Sequence, residues 1–329
     1  MTLYRTSGWL AGGLLALLAA ACQRHAVPTA TAPTLPVETG VSQPLAEARR
    51  QLLSHLAYSL DLNIPTQKTQ PISGNEGITF TLRDNRQPLQ LDFKASADHL
   101  HSVEVNGRPV AIDYRNEHVV LPANALRIGR NEVKINFTAG DQSLNRNDDY
   151  LYTLLVPDRA RTVFPVFDQP DLKAVFTLSL TVPQQWRAMA NGLAIRPSSS
   201  PVDEVSLGMR SYHFAPSDTI STYLFSFAAG KFQQLLRNVS GRPIRFLHRE
   251  TDSAKIRLSV PAIFAQHGRA LSFLEEYTGI PYPFQKFDFT AIPDFQYGGM
   301  EHVGAIDYKA ASLFLDQGAT RDQELARRN

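Results

Sequence analysis

The chain has 329 residues, 43% hydrophobic and 19% charged, ordinary values for globular protein and enough length for two domains with separate cores. Its 33 basic and 31 acidic residues are interspersed and leave a net charge of +2. No basic stripe results, which excludes a nucleic-acid partner on electrostatic grounds.

At the N-terminus, Arg5 precedes an apolar run from Trp9 to Ala21 that ends in small residues. This is the layout of an export signal, and it is shorter than the roughly 20 apolar residues a spanning helix needs. The only cysteine, Cys22, follows Leu18-Ala19-Ala20-Ala21. Residues 1–22 therefore resemble a lipoprotein-type signal peptide with its lipobox, with Leu18 one position further from the cysteine than usual. The resemblance implies export and a lipid anchor at Cys22, holding the protein to a bacterial membrane on its periplasmic or cell-surface side. The alternative is an ordinary cleaved signal with a chance cysteine. A single cysteine permits no intramolecular disulfide. Residues 23–44 are rich in Pro, Thr and Ala and show no hydrophobic period, so they are expected to form an extended tether.

Residues 45–232 carry mostly period-two alternation. It is seen in Ile78-Thr79-Phe80-Thr81-Leu82, in Leu89-Gln90-Leu91-Asp92-Phe93, in Val133 to Phe137 and in Phe176 to Val182. Val103-Glu104-Val105 runs into Asn106-Gly107, a strong two-residue hairpin signal. Thr222 to Ala228 is more continuously apolar and is expected to be a strand covered on both faces. Short strands with Gly, Pro, Asn and Asp between them predict a mainly β N-terminal sandwich or saddle.

The pattern changes over residues 233–329. Pro243 to Leu247 reads as a strand. A helix is predicted from Ala262 to Tyr277, with Ile263, His267, Ala270, Leu271, Leu274 and Tyr277 as one buried stripe and Gly279 as its C-cap. Phe287 to Ile292 predicts a strand leading into Gly298-Gly299, and Asp322 to Arg328 begins a further helix with acidic residues first. One long helix and a few strands make a poor independent core.

Tyr297-Gly298-Gly299-Met300-Glu301-His302 resembles the G-x-M-E-N signature of the zinc metallo-aminopeptidases of the aminopeptidase N and leukotriene hydrolase type. Two more segments resemble this family in order: Thr162 to Ala174 (TVFPVFDQPDLKA) and Tyr277 to Phe284 (YTGIPYPF), with Ile292-Pro293-Asp294-Phe295 after them. The resemblance implies a β-sandwich followed by the incomplete start of an α+β, thermolysin-like catalytic domain. It implies peptide substrates with a free N-terminus, with Gly298, Gly299, Met300 and Glu301 as the substrate-binding residues. Glu301 matches the family's amine-anchoring glutamate. The chemistry suits that role, because a buried carboxylate holds a protonated α-amine by a charge-assisted hydrogen bond, and the glycines let bare backbone approach the peptide.

Two positions depart from the family pattern. His302 replaces an asparagine, and Val156, in Thr153-Leu154-Leu155-Val156, stands where a polar amine-binding group is expected. The family's cofactor is zinc, yet the 9 histidines include no pair spaced four apart, so H-E-x-x-H is absent and no catalytic or metal residue is assigned. His99 and His101, on one strand face, are read as ordinary strand histidines. The expectation is the N-terminal portion of a zinc-dependent aminopeptidase that releases N-terminal residues from peptides, bearing an amine anchor without a zinc site and inactive by itself. The alternative is a non-catalytic, surface-tethered module that binds peptides or a protein.

Overall fold

The computed structural model describes residues 35–195 and 208–328; the expected signal segment, Cys22 and most of the expected tether lie outside them. The described residues form one compact unit. Alternating strands assemble first into an eight-stranded sheet. Its centre pairs Leu53–Asn63 with Ser73–Leu82 (antiparallel) and with Ala174–Pro183 (parallel), and Ser73–Leu82 with Gly129–Thr138. The apolar members of each alternation, such as Leu60, Phe80, Ile135 and Leu178, point to one face and are buried. The Asn106-Gly107 turn has φ values of 53° and 78° and joins Leu100–Val105 to Arg108–Val110 as the dipeptide predicts.

Packed on this face are a three-stranded sheet containing Leu89–Asp92 and His118–Leu121, and a four-stranded sheet in the order Arg187–Ala190, Phe227–Gly230, Tyr150–Thr153, Leu144–Arg146. The four-stranded sheet is buried on both faces. Leu151, Ala188, Ala190 and Ala229 enter the sandwich core, whereas Tyr150, Tyr152, Met189 and Ala228 enter a second cluster on the opposite side.

That second cluster is shared with a five-stranded mixed sheet built from Gln233–Val239, Arg242–His248, Asp288–Ile292, Ala305–Lys309 and Gly299–Met300. On its other face the helix Ser253–Thr278 packs Val260, Ile263 and Phe264 against Phe246 and Phe289.

Four expectations need correction. Residues 35–42, expected as the end of a free tether, lie on the sandwich: Asn116 Nδ2 donates to Val37 O at 2.8 Å, and His118 Nε2 lies 2.8 Å from Glu38 O. A helix, Gln43–Leu52, capped by Ser42, follows where none is expected. Thr222 to Ala228 is not a single strand, because Thr222–Leu224 is a 3-10 turn and pairing begins at Phe227. Here side chains capture the backbone: Asn191 Nδ2 donates to Leu224 O (2.9 Å) and Ser226 N donates to Asn191 Oδ1 (2.8 Å).

The fourth concerns the long helix. It starts at Ser253, where Asp252 accepts from Ala254 N at 2.7 Å, and runs through Pro261. The expected stripe is buried at Ile263 and Leu271 only. Leu274 and Tyr277 are 52% and 79% exposed, since no described element covers that end. Gly279 ends the helix at φ 68°.

A buried ion cluster ties the helix Gln43–Leu52 to the sandwich. Arg49 donates two bonds to Asp92, at 2.9 and 2.5 Å, and a third to Gln90 O at 2.7 Å. His118 Nδ1 lies 2.8 Å from the same carboxylate, and Asp168 N donates to it at 2.9 Å. Burial alone would raise the Asp92 pKa, but the Arg49 guanidinium and the His118 contact bring it down to about 2. Asp168 goes the other way. Burial pushes its pKa up to about 6 despite bonds from the Thr222 hydroxyl and the Arg161 N–H.

Arg49→Met leaves the Asp92 carboxylate buried without its cation and is expected to cost about 3–5 kcal/mol in urea unfolding. The stability Asp92 contributes is fully present above about pH 4 and lost as pH falls through about 2. Asp168 has the opposite sign, because the folded state holds its proton between about pH 4 and about pH 6, so this contribution declines as pH rises through that window. Asp168→Asn is expected to remove that decline, read as thermal midpoint against pH.

Candidate amine-binding site

The sheet order places Gly299–Met300 at the edge of the five-stranded sheet, paired antiparallel with Ala305–Lys309 through Gly299↔Tyr308 and Met300↔Asp307. Lys309 N donates to Gly298 O at 3.0 Å, and Ala305 N closes the turn on His302 O at 3.1 Å. Being an edge, Gly299–Met300 has unpaired backbone groups on its outer side, the arrangement to which an extended peptide adds as a further strand. Gly298 has open space around its α-carbon, while a Cβ on Gly299 would lie 3.0 Å from the Tyr308 ring.

Side chains alternate along the loop. Met300 is buried in the second cluster beside Tyr152, Phe295 and Ala305; Glu301 is exposed; His302 is fully buried. The Glu301 carboxylate has no hydrogen bond or ion pair among the described residues, so both oxygens are free to receive a cation. It is not the buried carboxylate the sequence suggests, because nothing described packs over it. His302 Nδ1 lies 3.3 Å from Asp307 Oδ2, and neither ring nitrogen is in hydrogen-bonding geometry.

Val156 packs, partly buried, against the same apolar cluster that holds Met300. The structure thus brings together the two segments that the sequence singles out, with the Val156 side chain packed into that cluster. His99 and His101 do not share a strand, because His99 ends the 3-10 turn Ala97–His99 and only His101 lies in Leu100–Val105; both rings bond Thr138, at 3.1 Å to its carbonyl and 2.9 Å to its hydroxyl.

Sequence reasoning misses the residues that hold the loop from behind. Asn191 Nδ2 donates to Val303 O at 2.9 Å, and Lys286 Nζ donates to Gly304 O. The one sequence signal was a lysine between two aromatic residues, Phe284 and Phe287.

Residues 54–224 match the Peptidase M1 N-terminal domain, and residues 264–328 match the Peptidase family M1 domain. The chain belongs to peptidase family M1. It is 27% identical over 292 residues to Aminopeptidase N of Streptomyces lividans, covering 84% of this chain and 32% of that protein. It is also 27% identical over 238 residues to Probable aminopeptidase 1 of Sulfurisphaera tokodaii (69% and 28%), and 32% identical over 177 residues to Glutamyl aminopeptidase of Sus scrofa (51% and 17%). The chain therefore spans about a third or less of the length of these curated relatives. Members of this family are zinc metallopeptidases. Among the described residues of this M1 chain, no three His, Cys, Asp or Glu side chains converge to hold a metal. The described residues do not fit a zinc.

Gly304 has φ 71°, and a Cβ there would meet Asn191 O at 2.9 Å. Gly304→Ala is expected to destabilise by about 1–3 kcal/mol, whereas Gly298→Ala, in open space, is expected to be close to neutral. Denaturant unfolding of the two variants checks the contrast.

Proposed function

We propose that this chain carries the peptide-recognition portion of a zinc-dependent aminopeptidase that releases N-terminal residues from peptides, with Glu301 as the anchor for the substrate α-amine. The observation that carries this reading is the free, exposed Glu301 carboxylate directly after the edge strand Gly299–Met300, within a segment matching the M1 domain. A protonated α-amine would donate to Glu301, and the first peptide units would lie along the unpaired edge of Gly299–Met300. Gly298, with no neighbour in side-chain range, leaves room for that approach. Met300 contributes by burial, fixing the end of the strand that Glu301 directly follows.

Hydrolysis is not assigned to the described residues. Export and lipid anchoring through Cys22 belong to the same proposal, supported by the Trp9 to Ala21 run and the residues before Cys22. They would place the site on the periplasmic or cell-surface side of a bacterial membrane, reached by peptides there. Val156 in place of a polar amine-binding group and His302 in place of the family's asparagine favour a second reading, in which the chain captures peptides without cleaving them.

Binding of a free-amine peptide and its N-acetylated counterpart, measured by calorimetry, tests the anchor. The free amine is expected to bind more tightly, with Glu301→Gln reducing its affinity roughly tenfold or more and leaving the acetylated peptide unchanged. Equal affinity for both peptides would exclude amine recognition. Chelator-sensitive hydrolysis of an aminoacyl-arylamide by this chain would contradict both the assignment of no hydrolysis to it and the capture reading.

A further inference from the structure

The support under Glu301 has two unequal ends. On the N-terminal side, strand pairing fixes Gly299 and Met300. On the C-terminal side there is no ladder until Ala305, and the carbonyls of Val303 and Gly304 are taken by side chains instead.

Asn191 directly follows the strand Arg187–Ala190 of the four-stranded sheet and is 5% exposed. Its Nδ2 donates to both Leu224 O and Val303 O at 2.9 Å, and its Oδ1 accepts from Ser226 N at 2.8 Å, so its amide is fully committed. Lys286 is 8% exposed, donates to Gly304 O and lies 3.3 Å from Asp288 Oδ2. The fit leaves little slack: a Cβ on Gly304 would lie 2.9 Å from Asn191 O and 3.2 Å from Lys286 Cγ.

Burying an ammonium here is costly. Burial lowers the Lys286 pKa to about 8, against the opposing pull of Asp288. An apolar side chain would fill the slot without that penalty. What the ammonium adds is a fixed grip on the loop carbonyl.

We propose that Asn191 and Lys286 are positioning residues that clamp the C-terminal leg of the amine loop. Asn191 would then be the sandwich's contribution to the site, in place of the polar group absent at Val156. The inference rests on Glu301 being the amine anchor, while the clamp has a readout that needs no ligand.

The test uses the full chain with Lys286→Met, Lys286→Arg and Asn191→Ala. Amide hydrogen exchange without ligand is expected to accelerate roughly tenfold or more across residues 298–305 in Lys286→Met and Asn191→Ala. The strands Leu53–Asn63 and Asp288–Ile292 should stay protected, and Lys286→Arg should preserve most of the loop protection. Affinity for trialanine, with N-acetyl-trialanine as the control, should fall by a similar factor.

A pH profile separates positioning from bulk stability. Lys286 faces Asp288, Arg245 and Asp307, and the Gly304 amide resonance should titrate near pH 8 in the wild type and not in Lys286→Arg. Unchanged loop exchange in both truncating variants would overturn the clamp, as would acceleration spread evenly over both sheets. Should Lys286→Met fail to fold, Asn191→Ala and the Lys286→Arg titration decide. If trialanine fails to bind the wild type, the Glu301 reading falls, while the exchange comparison still decides the clamp.

Discussion

A four-stranded sheet buried on both faces is the constraint on which the rest of this structure depends. Along Tyr150–Thr153, Leu151 serves the sandwich core while Tyr150 and Tyr152 serve the second cluster; along Arg187–Ala190, Ala188 and Ala190 face one way and Met189 the other. Two cores therefore share one layer, and neither can slip in register without exposing apolar surface in the other. The second cluster includes Met300, so the amine loop is fixed to the sandwich by burial of the residue immediately before Glu301. Met300 and His302 are buried on either side of Glu301, which is left exposed.

Electrostatics follows the same division. Inside the sandwich, Asp92 is buried charged between Arg49 and His118, whereas the buried Glu76 carboxyl has no hydrogen-bond partner and burial pushes its pKa well up. Around the loop, buried polar groups such as Asn191, Lys286 and Asp307 spend their bonding on the backbone or on one another. The one carboxylate of the loop left unanswered is Glu301, which is what a site for a cationic ligand requires.

Much of this was legible in the sequence because the strands alternate cleanly. Ile78 to Leu82, Val133 to Phe137 and Phe176 to Val182 sit where period two puts them, and Asn106-Gly107 makes its turn. The sequence misled where side chains bond backbone. Asn191 and Thr222 turn an apolar run into a 3-10 turn before Phe227, and Pro261 hid the first third of a helix that tolerates it. Periodicity on the long helix suggested a full buried stripe, yet burial depends on a facing element, and Leu274 and Tyr277 have none among the described residues. For the site, the Gly298 to Glu301 motif was readable from residue types alone. Its supports were not, since Asn191 lies about a hundred residues away and meets Val303 only through the shared sheet.

The central claim is geometric: Glu301 receives a peptide α-amine while the peptide backbone extends along the free edge of Gly299–Met300. A crystal structure of the chain with a short free-amine peptide measures this directly. The account predicts the α-nitrogen about 3 Å from a Glu301 carboxylate oxygen, and main-chain bonds to the outer side of Gly299–Met300. A peptide bound with its amine remote from Glu301, or seated elsewhere on the molecule, would contradict it.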